Sequence, residues 1–253
     1  MAVSVKEFTI DAKGLHYKEL NEKIREAVRN GETEIKLVNV NGQRYIGDAI
    51  DVAVNITMDG VPGADLGAYM NGPTINVHAN AQDHVANTMN EGKIVIHGDA
   101  GDVLGYGMRG GRLFVRGDVG YRVGIHMKEY MDKVPVVVVG GTAGDFFGEY
   151  MAGGTLILLG LDTGHNGKDQ IAGNYFGTGM HGGVIYLRGK LENYQLGKEV
   201  AVLELDDADR EKIKKYVTEF ASDVNLDAEE ILKGEFVKIK AVSHRPYGNL
   251  YAY

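Results

Sequence analysis

Two stretches have residue types and spacing that could do chemistry, GYGMRG at 105–110 and GTGMHG at 177–182, both of the form GxGxxG. In a dinucleotide site such a loop follows a strand, opens a helix and is answered by an acidic residue further on. Here both run into alternating apolar segments, Leu113–Val115 and Ile185–Leu187, so each reads as a corner between strands. His78 and His97 recur at one place in successive repeats, with Arg116 next in the row. Two imidazoles could hold a metal, but the spacing supplies no third ligand and sets them on an outward face. They are expected to form an exposed ladder. Asp162 and His165, in the polar stretch 161–176, read as surface residues. The serines are Ser4, Ser222 and Ser243, none within GxSxG, and cysteine is absent. A nucleophile elbow, disulfides and thiolate-held metal or iron–sulfur centres therefore fall away. We expect no catalytic, cofactor-binding or metal-ligating residue in this chain.

What would position these residues is a repeat. It aligns on Met70, Met89, Met108, Met131, Met151 and Met180. Three residues earlier stand Gly67, Ala86, Gly105, Gly148 and Gly177; two and three residues later come the pairs Gly110-Gly111, Gly153-Gly154 and Gly182-Gly183. Five and seven residues later the side chains are apolar, as in Ile75/Val77, Ile94/Ile96, Leu156/Leu158 and, on this alignment, Val136/Val138. Alternation places such pairs on one face of a strand. One coil cannot bury that face, whereas stacked coils bury it as a column. The expected fold is mainly β: a right-handed parallel β-helix of about six or seven coils, with an α/β N-terminal cap and a helical C-terminal segment.

The boundaries follow from the pattern. Residues 1–50 form the cap, with a helix from about Tyr17 to Asn30 stopped by Gly31, a strand over Glu34–Val40, and a hairpin turn at Asn41-Gly42. Residues 51–197 carry the repeat, with extra residues near His126–Glu129 and before Gly177. Residues 198–253 hold a helix from Asp206 to about Phe220, a short helix at Ala228–Lys233, a strand at Phe236–Val242, and a tyrosine-rich tail that either clamps a partner or folds back on the solenoid.

One feature calls for a partner. Val95, Phe114, Val137, Ile157 and Tyr186, one residue out of phase with the core positions, should point outward, and Val139 and Leu159 extend the stripe. An apolar stripe of that size is covered by something, either the terminal helices or another subunit. We expect much of it to dock a partner. Charged substitutions at Phe114 and Ile157 would then abolish assembly and leave the single chain folded.

Composition narrows the remaining classes. The net charge of −8 shows no basic footprint for nucleic acid. The N-terminal MAVSVKEFTID lacks a secretory n- and h-region, and no apolar run approaches membrane-span length. A cytoplasmic protein is expected. The 36 glycines, set against 4 prolines, fall between apolar segments and mark tight turns.

DLGAYMNG (65–72), GDAGDVLGYGMRGG (98–111), GEYMAGGTLILLG (148–160) and YFGTGMHGGVIYLRG (175–189) together resemble the C-terminal GXGXG domain of the glutamate synthase large subunit, over roughly Ile46 to Gly189. The subunit of formylmethanofuran dehydrogenase that uses the same repeat looks similar over the solenoid; the long loop before Gly177 and the flanking segments favour glutamate synthase. The resemblance implies a separately encoded structural subunit of a split glutamate synthase. Its partners would be a glutaminase with a catalytic cysteine and a synthase chain holding FMN and an iron–sulfur cluster, and a homo-oligomer is a further possibility. The competing class is an enzyme in its own right, such as a hydrolase with a site in the long loop or along a solenoid face.

Overall fold

The computed structural model describes residues 7–161, 163 and 170–242. Nine strands follow one another in parallel: β1 (Phe8–Asp11), β2 (Glu34–Asn41), β3 (Asn55–Val61), β4 (Asn71–Val77), β5 (Glu91–Ile96), β6 (Arg112–Val115), β7 (Val136–Val139), β8 (Ala152–Leu158) and β9 (Gly182–Arg188). Each pairs with the next, and the chain winds into a mainly β solenoid of about six turns. Two further strands complete the sheet. β11 (Phe236–Ala241) runs antiparallel beside β9, and β10 (Val200–Leu203) lies antiparallel outside β11.

The registers explain the stacking. Phe8, Ile35, Ile56, Ile75, Ile94, Leu113, Val137, Leu156, Ile185 and Ile239 form one file of strand partners. Ile10, Leu37, Met58, Val77, Ile96, Val115, Val139, Leu158, Leu187 and Val237 form a second, two residues on. Apart from Phe8, which is 41% exposed at the end of the first, both files point into a core that also holds Met70, Met89, Met108, Met127, Met151 and Met180. The inward row is built from methionine because its flexible thioether fits the uneven gaps left where coils turn.

That row corrects the alignment. Met127 is buried and occupies the repeat position, while Met131 is 84% exposed. The irregularity therefore follows the methionine. Leu113 lies five residues after Met108, but its partner Val137 lies ten after Met127. A one-residue slip exchanges the two faces of a strand. Val137 and Val139 accordingly join the core, and Val136 and Val138 point outward.

The N-terminal segment continues the solenoid sheet. The hairpin expected at Asn41-Gly42 does not form, since β2 pairs in parallel with both β1 and β3. Gly42, at φ +78°, instead turns the chain into a further coil that buries Ile46 and Ile50. A hairpin would have left those two side chains outside the core. Gln43 holds the corner: its side chain donates to the Ala12 and Leu15 carbonyls and accepts from the Asn41 N–H. Helix α1 (Tyr17–Arg29) starts at a His16–Glu19 capping box and drops Leu20, Ile24 and Ala27 into the same core.

Two ladders of short polar side chains fix the spacing between coils. The backbone N–H groups of Asp99 and Asp118 donate to Asn80 and Asp99 one coil back, at 3.0 and 2.9 Å, and that of Thr142 donates to Asp118 at 2.7 Å. In parallel, the Asp102 N–H donates to Asp83 at 2.9 Å and the Tyr121 N–H to Asp102 at 2.8 Å. The glycines before these donors leave room for the incoming carboxylate; a Cβ at Gly120 would overlap Asp102.

At the C-terminal side, α2 (Asp207–Val224) begins at an Asp206–Asp209 capping box and ends at Asn225 in the left-handed conformation. It runs one turn beyond the expected Phe220. A shorter helix, α3 (Ala228–Leu232), leads into β11.

Candidate interaction surface

The outward stripe is covered within the chain itself. Val95, Phe114, Val136, Val138, Ile157, Leu159, Val184 and Tyr186 pack against Ile213, Tyr216, Val217, Phe220, Ala221 and Val224 of α2 and Ile231 of α3 in a second hydrophobic core. Phe114 meets Phe220 edge-on, with ring centroids 5.9 Å apart. The stripe expected to dock another subunit is therefore not available to one. Val95, Phe114, Ile157 and Tyr186 lie beneath α2, and Val137 belongs to the solenoid core. The physical reason is local supply. An amphipathic helix joined to the same sheet covers the face without the translational entropy cost of recruiting a second chain.

Polar contacts pin the helix at its edges. The Lys93 ammonium lies 2.7 Å from Asp223 and 3.5 Å from Glu219, and Arg112 reaches Glu219 at 3.5 Å while stacking over Tyr216. At the other end the Tyr186 hydroxyl donates to Asp209 at 2.6 Å, and the Lys238 ammonium is bonded to the same carboxylate. Burial alone would raise the Asp209 pKa, but its bonds from Lys238, Tyr186 and the Asp206 N–H outweigh that and hold it at about 2. The Tyr186 phenol is pushed well above its ordinary value by burial, and further by the negative charge of Asp209. These shifts belong to a structural clamp, since all three groups are engaged with one another.

The glycines and histidines that stand out in the sequence occupy structural positions. Gly105 and Gly177, the first glycines of the two GxGxxG stretches, sit at solenoid corners with φ +67° and +69°, and β6 and β9 follow them with no helix. Gly67 and Gly148 hold the same position. Gly110, Gly153 and Gly182 lie against backbone of the preceding coil, and Gly111, Gly154 and Gly183 follow at positive φ. His78 and His97 stack with centroids 4.7 Å apart, and burial, then His78 and Arg116, lowers the His97 pKa. Among the described residues no group of three or more His, Cys, Asp or Glu converges as a metal site would require. Asp162, His165 and the tail from Ser243 onward lie outside the described residues.

Sequence reasoning missed an aromatic surface along one corner of the coils. Arg122 lies 4.5 Å over the Phe146 ring, which stacks on Tyr175 at 4.8 Å; in the neighbouring file His126 stacks on Tyr150 at 5.5 Å and meets Tyr106 edge-on. Glu149 pairs with Arg122 at 2.9 Å. Tyr106, Tyr121 and Tyr175 remain exposed there, and the turn at 130–134 adds Tyr130, Met131 and Val134. Exposed tyrosine and methionine are the residues enriched where proteins meet. The available signal was the recurrence of Tyr, His or Phe one and five residues before the methionine column.

With the geometry in place, the sequence matches the GXGXG motif family over residues 13–242. The chain belongs to that family. This GXGXG solenoid is 50% identical over 253 residues to protein MJ1350 of Methanocaldococcus jannaschii, an uncharacterized protein, with 98% of this chain and 97% of that one covered. Its fold is similar to one chain in the crystal structure of the formyltransferase/hydrolase complex FhcABCD of Methylorubrum extorquens with methylofuran. The TM-score is 0.63 at 18% identity, covering 94% of this GXGXG chain and 96% of the other. At that identity the likeness is one of fold. No helix among the described residues is long and apolar enough to cross a membrane.

Proposed function

We propose that this GXGXG solenoid is a non-catalytic assembly subunit of a multi-subunit enzyme, and specifically the structural third component of a split glutamate synthase. The observation carrying this reading is that a solenoid of the same extent forms nearly the whole of one chain in a multi-subunit complex. The polar networks support it as well. Tyr186–Asp209–Lys238 and Lys93–Asp223 tie elements of this chain together, while Tyr106, Tyr121 and Tyr175 at the aromatic corner remain exposed. The finer assignment rests on the motifs at 65–72, 98–111, 148–160 and 175–189. On it, a glutaminase and a synthase chain carrying FMN and an iron–sulfur cluster are the partners, in the cytoplasm.

The fold likeness to a chain of FhcABCD favours a second reading, an assembly subunit of a formylmethanofuran-type complex. Purification of the tagged chain from its native host separates the two. Glutamate synthase assembly predicts co-purifying chains identified by mass as a glutaminase and a flavoprotein, with visible flavin absorbance in proportion to the chain. Formyltransferase or hydrolase chains without flavin would assign it to the second complex. A chain that purifies alone and turns over a substrate would contradict both.

A further inference from the structure

We propose that the free edge of β10 pairs with β10 of a second copy of this chain, joining two solenoids across a twofold axis. The pairing is independent of which enzyme the chain serves. β10 is the last strand of the sheet, and among the described residues no strand lies beyond it. The Val242 N–H donates to the Glu199 carbonyl at 2.9 Å, and Ala201 and Leu203 face Lys240 and Lys238 across the β10–β11 ladder. Hydrogen bonds in an antiparallel ladder alternate along each strand. The backbone groups of Glu199, Ala201 and Leu203 therefore turn toward β11, and those of Val200 and Val202 turn away from it. The Val202 N–H and carbonyl point out at the edge. The Val200 N–H makes a long bond of 3.4 Å to the Gly197 carbonyl.

This edge lacks the guards that keep exposed strands apart. Natural edges carry charges, a proline or a bulge. The β10 sequence VAVL has no charge and no proline, and its pairing with β11 runs without a register shift. Val202 and Leu203 are 45% and 40% exposed, on opposite faces of the strand. At the other end of the sheet, β1 carries the exposed Asp11. An unguarded apolar edge is a template for another strand.

A second copy matches the edge by its own sequence. With the Ala201 residues of the two copies facing each other at the axis, Val200 of one lies opposite Val202 of the other. Each such pair exchanges N–H···O bonds in both directions. The small Ala201 side chains meet where antiparallel strands approach most closely, and the exposed Val202 gains apolar contact with Val200. Just past the strand ends, the same register brings Lys198 of one copy opposite Glu204 of the other. Both are exposed, and neither has an ion-pair partner among the described residues. An isologous contact of this kind closes on itself, so it yields a dimer and no open array.

Sedimentation equilibrium and amide hydrogen exchange on the full chain test the edge. With rising concentration the mass should climb from 27.5 kDa toward twice that value, and the Val202 amide should exchange about tenfold or more slowly in the dimer. Val202→Pro removes the outward N–H and leaves the ladder to β11 intact, and Val202→Lys supplies the missing guard. Each should raise the dimer dissociation constant by about tenfold or more while keeping the circular dichroism of the folded chain. Val202→Lys retains the N–H, so it decides the matter where proline perturbs the fold. A chain that stays monomeric with a freely exchanging Val202 amide overturns the proposal. A monomer with that amide protected also overturns it, because the chain then covers its own edge. A dimer that Val202→Lys leaves intact places the contact elsewhere and overturns it as well. Protection that appears only when other subunits are added assigns the edge to them, which overturns the pairing and spares the assembly reading.

Discussion

The Phe114 ring on the outer face of the solenoid meets the edge of Phe220 from α2 at 5.9 Å, so the sheet and the C-terminal helix form one folding unit. Truncating a buried phenylalanine costs about 3–5 kcal/mol through lost transfer energy and the cavity left behind. Phe114→Ala and Phe220→Ala should each lower stability by that order in denaturant titrations. Their combined effect should fall short of the sum, because the two rings share one contact. A charged residue at Phe114 should unfold the single chain, in contrast to the outcome an open docking stripe would give.

The clamp between Tyr186, Asp209 and Lys238 makes stability depend on pH at both extremes. Asp209 titrates at about 2 in the folded chain, against 3.8 ordinarily, so it contributes stability above about pH 4 that is lost as the pH falls toward 2. The contribution is of the order of 2 kcal/mol. Tyr186 is shifted upward, so the folded chain keeps its proton where the unfolded chain ionises; its contribution is present below about pH 10 and lost above. Melting temperature followed across pH should show both limbs. Asp209→Asn should flatten the acid limb between pH ~4 and ~2 and lower stability at neutrality.

Met127 and Met131 should respond oppositely. Met127→Ala opens a cavity in the core file and should cost about 2–5 kcal/mol, while Met131→Ala should stay within about 0.5 kcal/mol. Denaturant midpoints of the two variants check the register directly.

Much of the solenoid was legible because two signals coincide. Period-2 alternation sets the file through Ile75, Ile94 and Leu113, and the recurring methionine sets the corner. Where two methionines stand four apart, at 127 and 131, the local pattern cannot decide between them. The choice falls to the pairing of Leu113 with Val137, a long-range contact. Which of the two covers, the terminal helices or another subunit, lies on the outward stripe was undecided for the same reason. Ile213, Tyr216, Val217 and Phe220 read as one helix face, but no local feature says which surface that face meets. The ladders running through Asp99 and Asp102 also escaped, because their partners lie 19 residues away.

Gly120→Ala tests those ladders. The new Cβ would overlap the Asp102 carboxylate, so the substitution should destabilise by about 1–3 kcal/mol. Asp102→Ala should cost about 1 kcal/mol through the lost bond to the Tyr121 N–H. The double variant should be less destabilised than the sum, since removing the carboxylate makes room for the methyl group. Strict additivity in thermal unfolding would contradict the steric explanation.

The central claim is that this chain assembles an enzyme whose chemistry lies on other subunits. The most direct measurement is glutamate formation by the proposed glutaminase and flavoprotein partners, with and without this chain, supplied either with glutamine or with free ammonia. The account predicts that glutamine-dependent turnover requires the chain, that ammonia-dependent turnover persists without it, and that the chain alone turns over neither. Full glutamine-dependent activity from the partners alone, or turnover by the isolated chain, would contradict it.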